Sequence, residues 1–187
     1  MLQDIIKSGC NESSIQKYLE LNKEILIYAT YQYSQYYKCF PKFKLGSDFE
    51  CDFLIFRHQS GIMKTVIVEL KLPSAKLLTK SKIPTKDLNF AISQANKYMN
   101  WVNDNREYFL KQMFNKPQIR ECYLDNSRNY VRSVIVIGKR MQYNDYENQY
   151  RKDIYNTTNR SIEIMPYERL IECENELHKI NQYKFTQ

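Results

Sequence analysis

Apolar residues recur along this chain in two rhythms, one of three to four residues and one of two. Ile15, Leu19, Leu21 and Ile25 follow Asn11-Glu12-Ser13-Ser14, whose polar side chains are helix-start chemistry. A helix is predicted from Glu12 to Asn22, running on toward Ile27. Tyr31 to Tyr37 reads as loop or strand, and Pro41 argues against a central strand there. Lys42–Leu45, Cys51–Phe56 and Lys64–Lys71 are short apolar runs separated by Gly46-Ser47 and Ser60-Gly61 and stopped by Pro73. They predict three strands in a meander or hairpin. From Asp87 to about Phe114, Leu88, Ala91, Ile92, Ala95, Tyr98, Met99, Trp101 and Val102 keep to one helical face, with Thr85 or Asp87 as N-cap and Pro117 beyond the end. Val131–Ile137, closed by Gly138, is a nearly continuous apolar strand of the kind buried on both faces. A helix over Asn144–Ile154, a strand over Ser161–Met165 ended by Pro166, and a helix from Tyr167 to about Ile180 complete the order α-β-β-β-α-β-α-β-α. The long crossover helix lets the fourth strand lie parallel to a neighbour, so the class is mixed α/β.

Composition narrows the class. The chain has 187 residues, 28 of them Lys or Arg and 21 Asp or Glu, for a formal net charge of +7. That length predicts one compact domain, with residues 1–40 as a helical lead-in and 41–187 as the core and its C-terminal extension. At 43% hydrophobic and 26% charged the chain is of globular type, and 4 Gly with 5 Pro argue against long flexible linkers. The 16 Tyr and 9 Phe accompany many Asn, Lys and Ile, a pattern of AT-rich coding that blunts arguments from aromatic content. No apolar run is long enough for a membrane helix, and Met1–Lys7 lacks a basic start followed by an apolar core, so neither a membrane span nor a secretory leader is expected. Cys10, Cys39, Cys51, Cys122 and Cys173 are odd in number and contain no C-x-x-C, which fits free thiols in an intracellular protein. His58 and His178 have no metal-ligand spacing. Glycine-rich nucleotide loops and the G-x-S-x-G elbow are missing, so no nucleotide cofactor is expected. The positive charge permits a polyanionic partner without requiring one.

The segment Val66-Ile67-Val68-Glu69-Leu70-Lys71 carries the chemistry. Alternation along a strand sends Val66, Val68 and Leu70 one way and Ile67, Glu69 and Lys71 the other. An acid and a base thus sit together at the end of a very apolar strand, which is costly unless they are paired or bind a metal. Asp52 opens the preceding strand. An antiparallel pairing through Ser60-Gly61 would bring Asp52 and Glu69 together as oxygen ligands for a hard divalent ion, with Lys71 within reach of a water. An exposed strand face with Glu and Lys two apart is the plainer alternative.

The D…E-x-K arrangement resembles the PD-(D/E)xK nuclease superfamily, as does the α-β-β-β-α-β order. Gln94 and Tyr98, one turn apart on the long helix, match the superfamily's Q-x-x-x-Y; core packing is the plainer role for Tyr98, and a site role for Gln94 stays open. Lys44–Ile55, Val68–Lys76, Leu88–Gln94, Val134–Arg140 and Ser161–Leu170 resemble, in order, the Shedu family of bacterial anti-phage nucleases. The resemblance implies a restriction-endonuclease-like α/β fold, with a central mixed sheet flanked by helices and a C-terminal α-β-α extension. It implies a cytoplasmic bacterial Mg²⁺-dependent deoxyribonuclease, with Mn²⁺ as a possible substitute, acting on DNA as a homo-oligomer, a tetramer or a dimer. Carried over by position, Asp52 and Glu69 would be metal ligands, the Leu70 carbonyl a further ligand, Lys71 the catalytic lysine and Gln94 its assistant. Glu12 would add an acidic group, with helix capping as its plainer role. Lys76, Lys80, Lys82 and Lys86 would flank the site and hold DNA phosphates, or be a solvated loop. No proline precedes the first acid, so Asp48 competes with Asp52 for that place. A restriction, junction-resolving or repair nuclease, a catalytically silent DNA-binding module, and a plain interaction protein are the rival readings.

Overall fold

The computed structural model describes residues 1–9, 11–31, 37–59, 62–116 and 128–184. Cys10, residues 32–36 of the Tyr31–Tyr37 stretch, the Ser60-Gly61 turn, Pro117 and Cys122 lie outside the described residues. Helices α1 (Leu2–Lys7), α2 (Glu12–Leu21) and α3 (Lys23–Tyr31) open the chain. Asn11 Oδ1 accepts the Ser14 N–H at 2.9 Å and starts α2 as the sequence predicts. The helix does not run on to Ile27. It stops at Asn22, whose backbone leaves the helical region and whose side-chain amide donates to the Tyr18 carbonyl at 2.8 Å. The same carbonyl also accepts the Asn22 backbone N–H, so the side chain folds back onto the last turn where the helix breaks. Helix α1 had no sequence signal, because six residues with two buried side chains, Leu2 and Ile6, are too few to show a period.

Five strands follow: β1 (Lys38–Leu45), β2 (Phe49–Gln59), β3 (Ile62–Leu70), β4 (Arg128–Val136) and β5 (Ile162–Met165). They stand side by side in sequence order, antiparallel over β1-β2-β3 and parallel over β3-β4-β5. The parallel fourth strand is the predicted one. Pro41 lies within β1, on the sheet edge, where a missing N–H is tolerated. The expected single helix after the third strand is two, α4 (Lys86–Asp104) and α5 (Arg106–Phe114). They part at Asn105, whose side-chain amide donates to the Trp101 carbonyl at 3.0 Å, the same device as at Asn22. Thr85, not Asp87, is the N-cap of α4. A 3-10 turn at Arg140–Gln142 leads to α6 (Asp145–Thr157), opened by a reciprocal Asn144–Glu147 cap, and α7 (Tyr167–Lys184) ends the described chain.

The sheet has a core on each face. Helices α1, α2, α3 and α7 cover Phe53, Ile55, Val66, Val68, Leu70, Val134 and Val136. Helices α4 and α5, with residues of α6, cover Leu54, Phe56, Ile67, Ile135 and Ile137. The alternation read from Val66 to Leu70 therefore holds. It fails at one place. Cys51 and Phe53 are two apart in β2 yet lie in opposite cores, and so do Cys39 and Phe43, four apart in β1. Two strands change face together, at Asp52 and at Lys42, whose φ of 45° is left-handed. The β2–β3 ladder also stops here, at Phe53↔Val68.

Gly138 closes β4 with a φ of 66°, and its N–H donates to the Leu72 carbonyl at 3.2 Å. An added Cβ would stand 2.7 Å from the Ala75 carbonyl oxygen. The loop after Lys71 is thereby pressed onto the end of β4. Gly138→Ala is expected to cost about 1–3 kcal/mol through both the clash and the left-handed backbone. Gly9→Ala, at a similar φ with open space around it, costs less. Urea unfolding of the two variants checks the order.

Candidate active site

The site lies where β2 and β3 separate. The β1–β2 register sets Lys42 opposite Asp52, between the pairs Pro41↔Phe53 and Phe43↔Cys51, and one further step of the β2–β3 register sets Asp52 opposite Glu69. No backbone pairing forms at that step. Instead Asp52 Oδ2 accepts the Leu70 N–H at 2.8 Å, replacing a rung of the ladder with a side chain. Asp52 Oδ1 accepts from Lys42 Nζ at 2.6 Å. Gln16 Nε2 reaches the Asp52 carbonyl at 3.3 Å from α2. Asp48 stays in the exposed turn between β1 and β2, its carboxylate bonded to Ser47 Oγ, so Asp52 is the acid beside Glu69.

Glu69 is 5% exposed and pairs with Lys71, Nζ to Oε1, at 2.9 Å. Its Oε2 is buried with no hydrogen-bond partner among the described residues. Lys71 lies one residue past the end of β3, and its backbone is held from both sides. Its N–H donates to Val136 O at 2.8 Å, and its carbonyl accepts from Tyr167 OH at 2.8 Å. The Lys71 ammonium stands 5.7 Å from the centre of the exposed Phe90 ring on α4.

Gln94 donates to Tyr98 OH at 3.1 Å, and Tyr98 OH donates to the Glu50 carbonyl at 3.2 Å. Tyr98 is 5% exposed, a core residue as its spacing predicts. Gln94 Oε1 and Gln16 Oε1 are both buried without a donor. With Glu69 Oε2 that makes three orphaned acceptor oxygens on residues at or beside one crevice. A buried acceptor without a donor is costly, and a cation relieves it.

The electrostatics agree. Burial first, and the charge of Asp52 second, push the Glu69 carboxyl up to about 7 against the pull of Lys71. The Glu12 carboxyl is raised by its own burial and also feels Lys71 and Asp52, so α2 brings this acid into the field of the site. The helix cap is made by Asn11, not by Glu12. The Tyr98 hydroxyl is pushed up to about 12, by burial and then by the charge of Glu69. The thiol of Cys51, next to Asp52, is driven upward by burial, which keeps it from acting as a nucleophile.

Asp52, Glu69, Lys71 and Glu12 are thus gathered, and Gln94 is linked to them through Tyr98. The four loop lysines are placed less tightly. Lys76, Lys80 and Lys82 are exposed on the connection from β3 to α4, and Lys86, expected on the same loop, is the exposed first residue of α4. Lys82 rests its ammonium over the Tyr146 ring, 3.4 Å from its centre. Sequence reasoning missed Lys42, Gln16 and Tyr167. Gln16 stands four residues after Glu12, a spacing that marks one helix face and offered a signal. Lys42 offered none, because only the register sets it opposite Asp52. A concavity of about 570 Å³ lined by Lys64, Arg132 and Arg160, among others, contains none of these residues.

Could the crevice take a divalent ion? Among the described residues no three His, Cys, Asp or Glu side chains are grouped tightly enough to form a full protein cage. Mg²⁺ does not need one. It keeps several waters and commonly takes one or two carboxylates. Glu69 fits that demand with its orphaned oxygen, and Asp52 fits it where Lys42 yields Oδ1, both Asp52 oxygens being engaged.

A five-stranded mixed α/β domain with a buried Asp–Glu–Lys cluster at the parting of its central strands is the class that fold and site define. The model of the family described as Shedu protein SduA, C-terminal, matches residues 10–171, and the chain belongs to that family. No curated protein matches the chain. Membership supports a setting in anti-phage defence. Among the described residues no helix is long and apolar enough to cross a membrane.

The raised Glu69 carboxyl has a consequence for stability. A group that holds its proton more tightly when folded stabilises the fold below its unfolded value, here about 4.5, and loses that contribution as pH rises through about 7. Metal-free protein is expected to lose up to about 3 kcal/mol across that window from this group. Glu69→Gln flattens the profile, which urea unfolding in EDTA at a series of pH values measures.

Proposed function

We propose that this chain is a metal-dependent DNA endonuclease of PD-(D/E)xK type, hydrolysing phosphodiester bonds in bacterial anti-phage defence. The observation that carries the reading is the Asp52–Glu69–Lys71 cluster, buried at a strand parting with one carboxylate oxygen unclaimed, in a member of the Shedu family. A homo-oligomer and an intracellular setting belong to the same reading.

Phosphodiesters are anionic and repel hydroxide, so hydrolysis needs positive charge and an activated water. A bound Mg²⁺ supplies both, acting as Lewis acid and lowering the pKa of its water. Asp52 and Glu69 would hold it, with the Leu70 carbonyl beside them. Asp52 is kept in place by the Leu70 N–H and by Gln16, so the carboxylate is oriented before any ligand arrives. Lys71, fixed at both backbone ends, presents its ammonium where negative charge develops on the phosphoryl oxygens. Gln94, bonded to Tyr98, carries a buried acceptor oxygen that a water could satisfy. Glu12 adds negative charge that favours cation binding.

Purified protein is expected to cut DNA in Mg²⁺ and not in EDTA. Lys71→Ala and Glu69→Gln are each expected to cut at least about 10²–10³-fold more slowly, with circular dichroism unchanged. Cutting by either variant at the wild-type rate would falsify the site. Linear, supercoiled and branched substrates in the same assay separate a defence nuclease from a restriction or junction-resolving enzyme.

The exposed loop lysines serve the same reading as phosphate contacts. Replacing Lys76, Lys80 and Lys86 together by Gln is expected to weaken DNA binding evenly across sequences. The slope of log affinity against log salt should fall by about 2–3. An unchanged slope, measured by fluorescence anisotropy, would make them a solvated loop.

A further inference from the structure

Lys42 is out of keeping with its position. It stands in an edge strand, directly after Pro41, with a φ of 45°. A non-glycine residue holds that backbone only where its surroundings impose it, and such strain clusters at working sites. Here it accompanies an ion pair of 2.6 Å to Asp52, the acid that also takes the Leu70 N–H. Both oxygens of Asp52 are therefore engaged. The two pairings are unequal in kind, because the Leu70 amide belongs to the strand end and cannot leave, whereas Lys42 sits on a flexible stem. The Lys42 side chain is 48% exposed against 12% for Asp52, so the ammonium reaches inward from the solvent side.

The charge balance gives the pair a role. Three carboxylates, Glu12, Asp52 and Glu69, face two ammonium groups, Lys42 and Lys71. With all five groups ionised, as a bound cation would require, the cluster by itself is negative by one. A divalent ion on Asp52 and Glu69 turns it positive by one and repels the neighbouring ammonium of Lys42. The negative groups then left to that ammonium are Glu50, an exposed carboxylate whose charge already reaches it, and an incoming phosphate. Lys71 differs, since its pairing partner Glu69 has a second oxygen still unclaimed.

We propose that Lys42 is a further phosphate-binding lysine, held on Asp52 until a divalent cation displaces it toward the nucleic-acid backbone. The exchange breaks the Lys42–Asp52 hydrogen bond and forms a Lys42–phosphate bond, so cation and DNA binding support each other. It rests on the nuclease reading above and deepens it, by making a positioning group of a residue on the edge strand.

Calorimetric titration with Mn²⁺ alone tests the first half. Lys42→Asn removes the charge while tolerating a left-handed backbone, and circular dichroism checks its fold. It is expected to bind Mn²⁺ about fivefold more tightly than wild type, the competition from one half-exposed ion pair being removed. Lys42→Arg stays near wild type. Anisotropy with a short DNA duplex tests the second half. Lys42→Asn should lose several-fold in affinity in Ca²⁺ and almost nothing in EDTA, with Lys42→Arg again close to wild type.

Equal Mn²⁺ affinity in wild type and Lys42→Asn overturns the proposal alone. So does an equal loss of DNA affinity with and without Ca²⁺, which would make Lys42 an ordinary static contact. Mn²⁺ binding by neither protein sinks this proposal and the metal site together. Wild-type protein that binds Mn²⁺ but cuts no DNA sinks the nuclease reading, and the Lys42 exchange then stands or falls on the two titrations.

Discussion

One hydrogen bond shapes the centre of this protein, the one in which Asp52 Oδ2 takes the Leu70 N–H that a backbone carbonyl of β2 would otherwise take. A side chain in place of a rung ends the ladder at Phe53↔Val68 and lets β2 turn its face. The same event places two carboxylates side by side at the mouth of the parting. A buried amide must find an acceptor, so the substitution is stable only because a carboxylate is a strong one.

The rest of the fold supports that parting from both layers. Helix α2 brings Gln16 to the Asp52 carbonyl and Glu12 into its field. From the opposite face α4 brings Gln94 and Tyr98, and Tyr98 ties down Glu50 just before the change of face. The parallel partner β4 and the first residue of α7 clamp the Lys71 backbone. Charged groups that are this buried cost energy, and the cluster offsets part of it with two ion pairs. The remaining strain is left as unclaimed oxygens and a Glu69 carboxyl held well above its ordinary range. A site in this condition favours a cation, and the proposed phosphate chemistry rests on that.

Much of this was legible in the residues. The period of two from Val66 to Lys71 placed Glu69 opposite the Leu70 face, and Asn11, Asn144 and Pro166 marked element ends. Helix continuity was misjudged at Asn22 and Asn105, because each side chain folds back onto the last turn of the preceding helix, a contact that apolar spacing does not register. The choice between Asp48 and Asp52 stayed open because both are acids near the same turn. Burial and register decided it.

The sequence by itself determined the order of the five strands, the apolar faces of β3 and α4, and the presence of a glutamate and a lysine at one strand end with an acid in the strand before. Those are local properties, written in periods of two and three to four residues. Only the tertiary structure decided where the ladder stops, which acid stands beside Glu69, and that Lys42 and Gln16 join them. These depend on pairing between segments far apart in the chain, and on a change of face that a strictly alternating pattern cannot express.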